Sequence, residues 1–296
     1  MMRTTTAPPS KGLTPSGCLA LTKPRIALTI ALTAVTGYGA VARHPAAPAA
    51  LLLGLAMVLA SGGAAAFNHV WDRDIDRLMR RTRNRPLASG RVEVLPAMAF
   101  AALLFGAGLG LALAAFNWVV ALHLFLGAFV YAIVYTVWLK RRTALNIVVG
   151  GAAGSFAMLA GAAAAEPTAW TLPLLLALTL FLWTPSHFWA LAILLAEDYR
   201  AAGVPMLPVV VGDRAAAGWI GLNSGLMVAS SLLPWGLGLL GPIYGAAALV
   251  LGLALMALNL KLVITPSRFW AGWNFAASIP YLLGLFAAIV IDRHWG

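Results

Sequence analysis

The residues best suited to chemistry lie close together in residues 68–76. Asn68, Asp72 and Asp76 are spaced four positions apart, so a helix would place their oxygen-bearing side chains on one face. Stacked carboxylates repel one another unless a positive charge lies between them. A hard divalent cation, Mg²⁺ above all, prefers such oxygen ligands. The spacing therefore predicts a magnesium site, with Asp74 pointing away from it toward a neighbouring arginine.

An arginine-rich segment follows these acids and contains Arg80, Arg81, Arg83 and Arg85. A metal held by carboxylates beside guanidinium groups is what a diphosphate requires, since the metal bridges some phosphate oxygens and the arginines bind the others. The alternative interpretation is an ordinary loop at the membrane surface, held by salt bridges and rich in basic residues.

Two further charged segments are candidates for the same site. Glu197 and Asp198 form a second acidic cluster, in which Asp198 could supply another metal ligand; the alternative is a simple helix-end charge cluster. Lys140 and Arg141 close a long apolar run, where basic residues act as a stop signal at the membrane surface. We consider diphosphate binding by Lys140 and Arg141 as an additional role.

The composition indicates what kind of protein must position these residues. Of 296 residues, 61% are hydrophobic and only 10% are charged, whereas a soluble domain is roughly half apolar and about a quarter charged. The mean hydropathy is +0.88. These values exclude a soluble enzyme, a disordered chain and a coiled coil, and they indicate an all-α, polytopic membrane protein. The single cysteine, Cys18, excludes an internal disulfide.

Nine apolar runs are long enough to cross a bilayer, which takes about 20 residues each. Residues 1–22 contain no such run and are predicted to form a flexible cytoplasmic tail, so that 23–296 make up a single transmembrane domain. The predicted spans are 25–43, 49–69, 95–115, 117–138, 144–165, 169–195, 217–240, 243–264 and 270–291.

The basic residues fix the predicted orientation. Of the 20 lysines and arginines, all but Arg43 and Arg293 fall on the side of the N-terminus when successive loops alternate. The positive-inside rule then places the N-terminus in the cytoplasm and the C-terminus outside. The net charge of +11 is thereby explained by topology rather than by nucleic-acid binding. The nine acidic residues avoid the middle of every span, which disfavours an ion-coupled transporter.

Matching features recur along the chain at a nearly constant offset. Asp76 and Asp198 lie 122 residues apart, and Lys140 and Lys261 lie 121 apart. This pattern predicts two four-helix halves related by a parallel repeat, plus a ninth helix. Both acidic loops would then face one cytoplasmic cavity. Since the second half has alanine and leucine where the first has Asn68 and Asp72, the first half must hold most of the metal.

Taken together, these motifs resemble the UbiA superfamily of intramembrane prenyltransferases. The likeness rests on the Asn68, Asp72 and Asp76 spacing and on residues 79–87, MRRTRNRPL. Two further stretches are similar to the branch of this superfamily that farnesylates haem. They are residues 183–192, WTPSHFWALA, and residues 198–208, DYRAAGVPMLP.

The resemblance implies the reaction and the roles of the site residues. It implies a multi-pass protein of the cell inner membrane that transfers farnesyl from farnesyl diphosphate to a vinyl group of haem B, with Mg²⁺ as cofactor and haem A synthase as a candidate partner. It implies metal binding by Asn68, Asp72, Asp76 and Asp198, diphosphate binding by Arg81, Arg85, Lys140 and Arg141, and catalysis by Asp72, Asp76, Arg81 and Arg85.

His187 matches a histidine of the haem-farnesylating branch and is a candidate haem contact, either to iron or to a propionate. The alternative is a buried core histidine bonded to a backbone carbonyl. We expect structural roles for His69 and His123. One departure concerns the fifth run, where residues 156–158, FAM, replace an expected proline pair. Rival interpretations are a related enzyme acting on a quinone or other aromatic acceptor, a membrane transporter, and a non-catalytic haem-binding assembly factor.

Overall fold

The computed structural model describes residues 12–296, and this part of the chain is entirely helical, without a strand. It contains nine helices long and apolar enough to cross a membrane, which confirms the predicted count for the described residues. The protein is therefore a multi-pass membrane protein. The nine spans are Pro24–Val41, Ala47–Trp71, Val94–Ala115, Trp118–Leu139, Asn146–Ala165, Thr171–Leu194, Leu207–Gly236, Pro242–Ile264 and Arg268–Trp295.

The segment before the first span differs from the predicted flexible tail. Residues 1–11 of that prediction lie outside the described residues. Pro15–Leu21 forms a short helix, capped by the Thr14 hydroxyl, which accepts a hydrogen bond from the Gly17 amide at 3.2 Å. Leu21 is fully buried. Proline in the first turn and a threonine cap favour a helix here, and the burial of Leu21 against the second and third spans anchors it.

The fourth and seventh spans depart from regular α-helix. The fourth changes to a π-helix over Val130–Leu139, next to the basic residues that end it; such segments are rare and often accompany functional sites. The seventh begins ten residues before its predicted start of 217. At Gly212 its backbone takes φ 79° and ψ 163°, so Leu207 starts a short helix that is set apart from the membrane-crossing part.

Small residues let the spans pack closely. In a membrane, helix association depends on close van der Waals packing rather than on burial from water. A Cβ atom on Gly161 of the fifth span would lie 1.8 Å from the Ala34 carbonyl oxygen of the first span. A Cβ atom on Gly37 of the first span would likewise lie 2.3 Å from the Met158 carbonyl oxygen of the fifth span. The first and fifth spans are therefore in direct backbone contact.

Buried side chains connect the two four-helix halves and the ninth helix. One cluster, around Leu53 and Val120, joins the first five spans. A second, around Tyr244 and Tyr281, joins spans five to nine and reaches the first span at Ala40. His294 of the ninth span also bonds the Gly39 carbonyl of the first at 3.0 Å, which closes the bundle.

Candidate active site

The second span ends at the start of the predicted magnesium site. The helix breaks at Asp72, where φ is −86° and ψ is 2°, and a short helix, Arg73–Leu78, follows. Asn68, Asp72 and Asp76 are therefore distributed over two helices and the break between them. The i to i+4 pattern nevertheless survives the break, because the Asp72 amide donates to the Asn68 carbonyl at 2.9 Å and the Asp76 amide donates to Asp72 at 2.8 Å.

Asp72 is the most enclosed charged residue of this region, with 0% of its surface exposed. One oxygen, Oδ2, accepts hydrogen bonds from the Asn68 amide at 2.8 Å and from the Lys140 ammonium. The other, Oδ1, lies 3.7 Å from Arg141 but has no hydrogen-bond partner. A buried carboxylate oxygen without a partner is costly, so Oδ1 is an acceptor that a bound ligand could satisfy.

Asp76 forms the second buried acid of the site, at 1% exposure. Both of its oxygens accept hydrogen bonds from one guanidinium nitrogen of Arg85, at 3.0 and 2.9 Å. The Thr82 hydroxyl donates to the Asp76 carbonyl at 2.9 Å and so fixes the loop that carries Arg85. Asp76 and Arg85, which lie nine positions apart in the chain, are thus in direct contact.

Lys23 completes this arrangement, although from the sequence it was predicted only to contribute to the positive charge of the cytoplasmic side. Its ammonium donates to Asn68 Oδ1 at 2.6 Å and to the Tyr131 hydroxyl at 3.1 Å. Burial, together with the nearby cations Arg85 and Lys140, lowers the pKa of Lys23 to about 7. Its backbone is left-handed, with φ 47°. The sequence feature that could have indicated a special role for Lys23 is its position directly before a proline at the start of a span.

Asp74 points outward and pairs with arginine, as predicted. Both guanidinium ends of Arg141 donate to its carboxylate at 2.7 Å. This hydrogen bonding lowers the pKa of Asp74 to about 2. The same guanidinium donates to the Trp71 carbonyl at 3.1 Å. Arg141 therefore bridges the second and fourth spans beside Asp72, and its role in binding diphosphate stays a prediction.

The two acidic loops meet, as their shared side of the membrane predicts. The carboxylate of Asp198 accepts hydrogen bonds from the backbone amides of Arg80 and Arg81, at 3.2 and 3.3 Å. Within residues 12–296, no three His, Cys, Asp or Glu side chains cluster closely enough to hold a metal ion. In this arrangement Asp198 positions the arginine loop, and its role as a metal ligand stays a prediction.

His187 lies inside the sixth span and is packed among aromatic rings. Trp183 and Phe275 stack on its faces, with ring centroids 4.3 and 4.5 Å away. Its Nδ1 bonds the Ser278 hydroxyl at 2.6 Å rather than a backbone carbonyl. Since both faces and Nδ1 are occupied, only the Nε2 edge remains for a ligand. The haem contact expected of His187 stays a prediction.

The two histidines expected to be structural have different surroundings. His123 bonds the Val119 carbonyl at 2.9 Å, one turn earlier on its own helix. His69 is buried at 2% exposure, and neither of its ring nitrogens has a hydrogen-bond partner. The satisfied ring of His123 fits a structural histidine, whereas the sequence offered no sign that His69 would be left without partners.

An apolar cavity of about 110 Å³ opens next to this charged cluster. It lies between the first, second, fourth and fifth spans, and Tyr131, which is bonded to Lys23, is part of its wall. Most of the other residues are alanine, glycine or aliphatic. They are Thr22, Ile26, Ala27, Ile30, Met57, Ala60, Ser61, Ala64, Ala65, His123, Leu124, Gly127, Ala128, Ala153 and Ala157.

The charged cluster has the donor set that a hard divalent cation requires. Asn68 Oδ1 and the carboxylates of Asp72 and Asp76 supply oxygens of the kind that Mg²⁺ binds, and their role as its ligands stays a prediction. The specific observation that fits such a role is the buried Asp72 Oδ1, which accepts no hydrogen bond. The surrounding lysines and arginines supply positive charge for an anionic ligand beside it. Cations and carboxylates beside an apolar cavity have the chemistry that suits an amphiphile with an anionic head.

The comparisons with known proteins agree with this class of site. Residues 30–290 match the model of the UbiA prenyltransferase family, so the chain belongs to that family. The fold is also that of solved relatives. A structure of digeranylgeranylglyceryl phosphate synthase is similar with a TM-score of 0.78 at 20% identity, covering 94% of this chain and 98% of the other. A UbiA homologue from Archaeoglobus fulgidus, bound to GPP and Mg²⁺, has a TM-score of 0.68 at 20% identity, covering 92% and 99%.

Closer relatives are found among curated sequences. Protoheme IX farnesyltransferase 1 of Paramagnetospirillum magneticum is 65% identical over 275 residues, which cover 93% of this chain and 97% of the relative. Protoheme IX farnesyltransferase of Alkalilimnicola ehrlichii is 45% identical over 276 residues, covering 93% and 91%. The similarity thus extends over nearly the whole length of both proteins.

Proposed function

We propose that this chain converts haem B to haem O by transferring a farnesyl group from farnesyl diphosphate to a haem vinyl group. The observation that carries the proposal is the 65% identity to a protoheme IX farnesyltransferase over 93% of the chain. The charged cluster beside an apolar cavity supports it independently, because an isoprenoid diphosphate has one charged and one apolar end.

The charged end of the substrate is held at the cytoplasmic ends of the second and fourth spans. Arg81, Arg85, Lys140 and Arg141 supply donors to the diphosphate, with Lys23 beside them. Mg²⁺ held by Asn68, Asp72 and Asp76, with Asp198 as a further candidate ligand, would neutralise charge developing on the leaving group. The arginine and lysine donors stabilise the same charge from a site shielded from water.

The apolar end of the substrate lies in the cavity lined by alanine and glycine. When the carbon–oxygen bond to diphosphate breaks, its electron pair leaves with the diphosphate and an allylic cation remains. The vinyl π electrons of haem then form the new carbon–carbon bond. Water adds to the resulting cation and loses a proton, which gives the hydroxyethylfarnesyl group. The apolar lining of the cavity disfavours water near the first cation until the vinyl group has reacted.

We place the haem against the Nε2 edge of His187. Trp183 and Phe275 hold the imidazole ring by stacking, and Ser278 occupies Nδ1. A fixed ring with one free edge is suited to orient an acceptor, either through the iron or through a propionate.

The acceptor is tested by direct competition. Purified protein receives farnesyl diphosphate and Mg²⁺ together with equal amounts of haem B and 4-hydroxybenzoate, an aromatic quinone precursor, and the products are separated by mass. We expect prenylated haem alone. A prenylated aromatic product with unmodified haem would instead favour the rival enzyme of the same family.

The two substrates are predicted to respond to different variants. Arg85→Lys keeps the positive charge but loses the planar array of donors. We therefore expect the affinity for farnesyl diphosphate to fall about tenfold, with haem affinity nearly unchanged. His187→Ala is expected to do the reverse, weakening haem binding or shifting the haem absorption spectrum. Both affinities are measured on purified protein by titration.

Ser278→Ala is the matched control for His187, since it removes the Nδ1 partner but leaves the ring. It should disturb haem binding less than His187→Ala does. Wild-type haem affinity, spectrum and turnover in His187→Ala would contradict the haem contact and leave His187 as a packing residue. The diphosphate assignment would be unaffected by that result.

We further propose that the protein lies in the cell inner membrane with its N-terminus in the cytoplasm and its C-terminus outside. A reporter fused after Gly90 should read cytoplasmic, and one fused after Gly296 should read periplasmic, because seven spans, an odd number, lie between these two positions. Matching readouts at the two positions, or the opposite pair, would contradict this orientation.

Haem A synthase is proposed as a partner that receives the product. Haem O is amphiphilic and poorly soluble in water, so direct transfer within the bilayer would avoid its release. The proposal is supported by the chemistry of the product alone and is checked by co-purification of the two proteins from membranes.

A further inference from the structure

The apolar cavity runs from the charged cluster toward the outer side of the membrane. At its cytoplasmic end, the Tyr131 hydroxyl accepts a hydrogen bond from Lys23, which also binds Asn68. Eight positions earlier on the same helix, His123 is part of the cavity wall. An α-helix rises 1.5 Å per residue, so these two residues are about 12 Å apart along the span.

The outer end of the cavity is lined by buried side chains. Nearer the charged cluster the wall includes Ile26, which is 55% exposed. At the outer end Met57, His123, Leu124 and Ala157 are all buried, and His123, the most exposed of these four, reaches only 7%. We call these four outer residues the cavity floor.

Beyond the floor the same helices pack without space for a ligand. Leu53, Val120 and Ala160 continue the second, fourth and fifth spans outward, and each is 0% exposed. They belong to one buried cluster together with Met57 and Leu124. Gly161 leaves no gap either, because its Cα packs directly against the Ala34 backbone of the first span. A tail longer than the cavity therefore cannot extend further between these spans.

His123 is the floor residue most firmly held in place. Its Nδ1 bonds the Val119 carbonyl at 2.9 Å. Its ring also contacts Phe156 and Trp170, with centroids 6.1 and 6.2 Å away. Because bonding and aromatic contacts fix the ring on several sides, it cannot swing away to admit a longer chain at low cost.

We propose that the cavity floor, and His123 above all, sets the length of the isoprenoid that this protein accepts. The inference rests on the proposed function, since it takes the occupant of the cavity to be the tail of a prenyl diphosphate. The diphosphate is fixed at the charged cluster, so the distance to the floor limits the number of isoprene units. The last unit of a tail that fits contacts Met57, His123 and Leu124.

The test measures binding of prenyl diphosphates that differ only in length. Geranyl, farnesyl and geranylgeranyl diphosphate are titrated into the purified full-length protein with Mg²⁺ and without haem. For His123→Ala we expect the affinity for geranylgeranyl relative to farnesyl diphosphate to rise at least tenfold, because loss of the imidazole ring lengthens the cavity at one of its four floor residues. For Ala157→Leu we expect the preference to shift toward geranyl diphosphate, because the floor is raised.

Leu122→Ala is the control, since Leu122 precedes His123 in the chain but is 41% exposed on the outside of the bundle. Its length preference should match that of the wild type. Ala157→Leu keeps the test decisive if His123→Ala does not fold. Unchanged length preference in every folded floor variant would overturn the inference and leave the proposed function standing. A wild-type protein that binds no prenyl diphosphate would instead overturn the proposed function.

Discussion

Replacing Asp72 with asparagine is expected to lower haem O formation by at least about 10²-fold, the scale of losing one charge-stabilising group in an active site. Asp72 is fully buried and faces Asn68, Lys140 and Arg141. Asparagine has nearly the same shape but removes the negative charge that would attract Mg²⁺. The rate is measured with purified protein at saturating farnesyl diphosphate and haem B, over a range of Mg²⁺ concentrations.

Asp74→Asn is the matched control, because Asp74 lies two positions away and its side chain is 61% exposed. The Asp74→Asn variant loses the exposed ion pair between Asp74 and Arg141. Such a pair contributes about 1 kcal/mol or less to stability, so activity should fall only slightly. Asp72→Asn also leaves the Lys140 cation without its carboxylate, so the amount of inserted protein must be compared first. Full activity in inserted Asp72→Asn protein would contradict the metal assignment.

Gly161→Ala is expected to destabilise the protein strongly although it adds only one methyl group. The added Cβ would lie 1.8 Å from the Ala34 carbonyl oxygen, and both atoms belong to helix backbones that cannot shift independently. Separating the first and fifth spans would disturb the packing of the whole first half. We expect a loss of about 3 kcal/mol or more, at the upper end of typical overpacking costs. Thermal unfolding in detergent measures the effect.

Gly154→Ala provides the comparison within the same span. No atom lies within 4 Å of a Cβ built there, and alanine favours a helix over glycine by up to about 1 kcal/mol. Gly154→Ala should therefore unfold at the same temperature as the wild type or slightly above it. If Gly161→Ala were as stable as Gly154→Ala, the close contact between the first and fifth spans would be refuted.

The nine spans were predictable because each needs about 20 consecutive apolar residues, which can be recognised in the sequence. The start of the seventh span was not predictable, because residues 207–211 are apolar but are followed by the charged residues Asp213 and Arg214. Hydropathy cannot distinguish a helix that ends there from one that continues past a glycine break.

The candidate site was predictable where spacing along one helix decides the geometry. Asn68, Asp72 and Asp76 keep their i to i+4 relation even though the helix bends at Asp72, and Asp74 points outward for the same reason. Contacts between distant segments were not predictable. Lys23 reaches Asn68 across 45 positions, and Lys140 reaches Asp72 across 68. These lysines reach Asn68 and Asp72 only because the first and fourth spans pack against the second.

The surroundings of His187 could not be predicted from the sequence either. Its position placed it inside the sixth span, but two of its contacts come from the ninth span, where Phe275 stacks on the ring and Ser278 bonds Nδ1. No periodicity in the sequence pairs these two helices. For the same reason the cavity floor was beyond prediction, since its members belong to the second, fourth and fifth spans.

Conversion of haem B to haem O by this chain can be measured by mass spectrometry of haems extracted from membranes of a host that lacks the activity, before and after the host expresses this chain. We expect expression to add a haem whose mass exceeds that of haem B by one farnesyl and one hydroxyl group, and expression of Asp72→Asn not to add it. A haem profile left unchanged by the correctly inserted wild-type protein would refute the proposed activity.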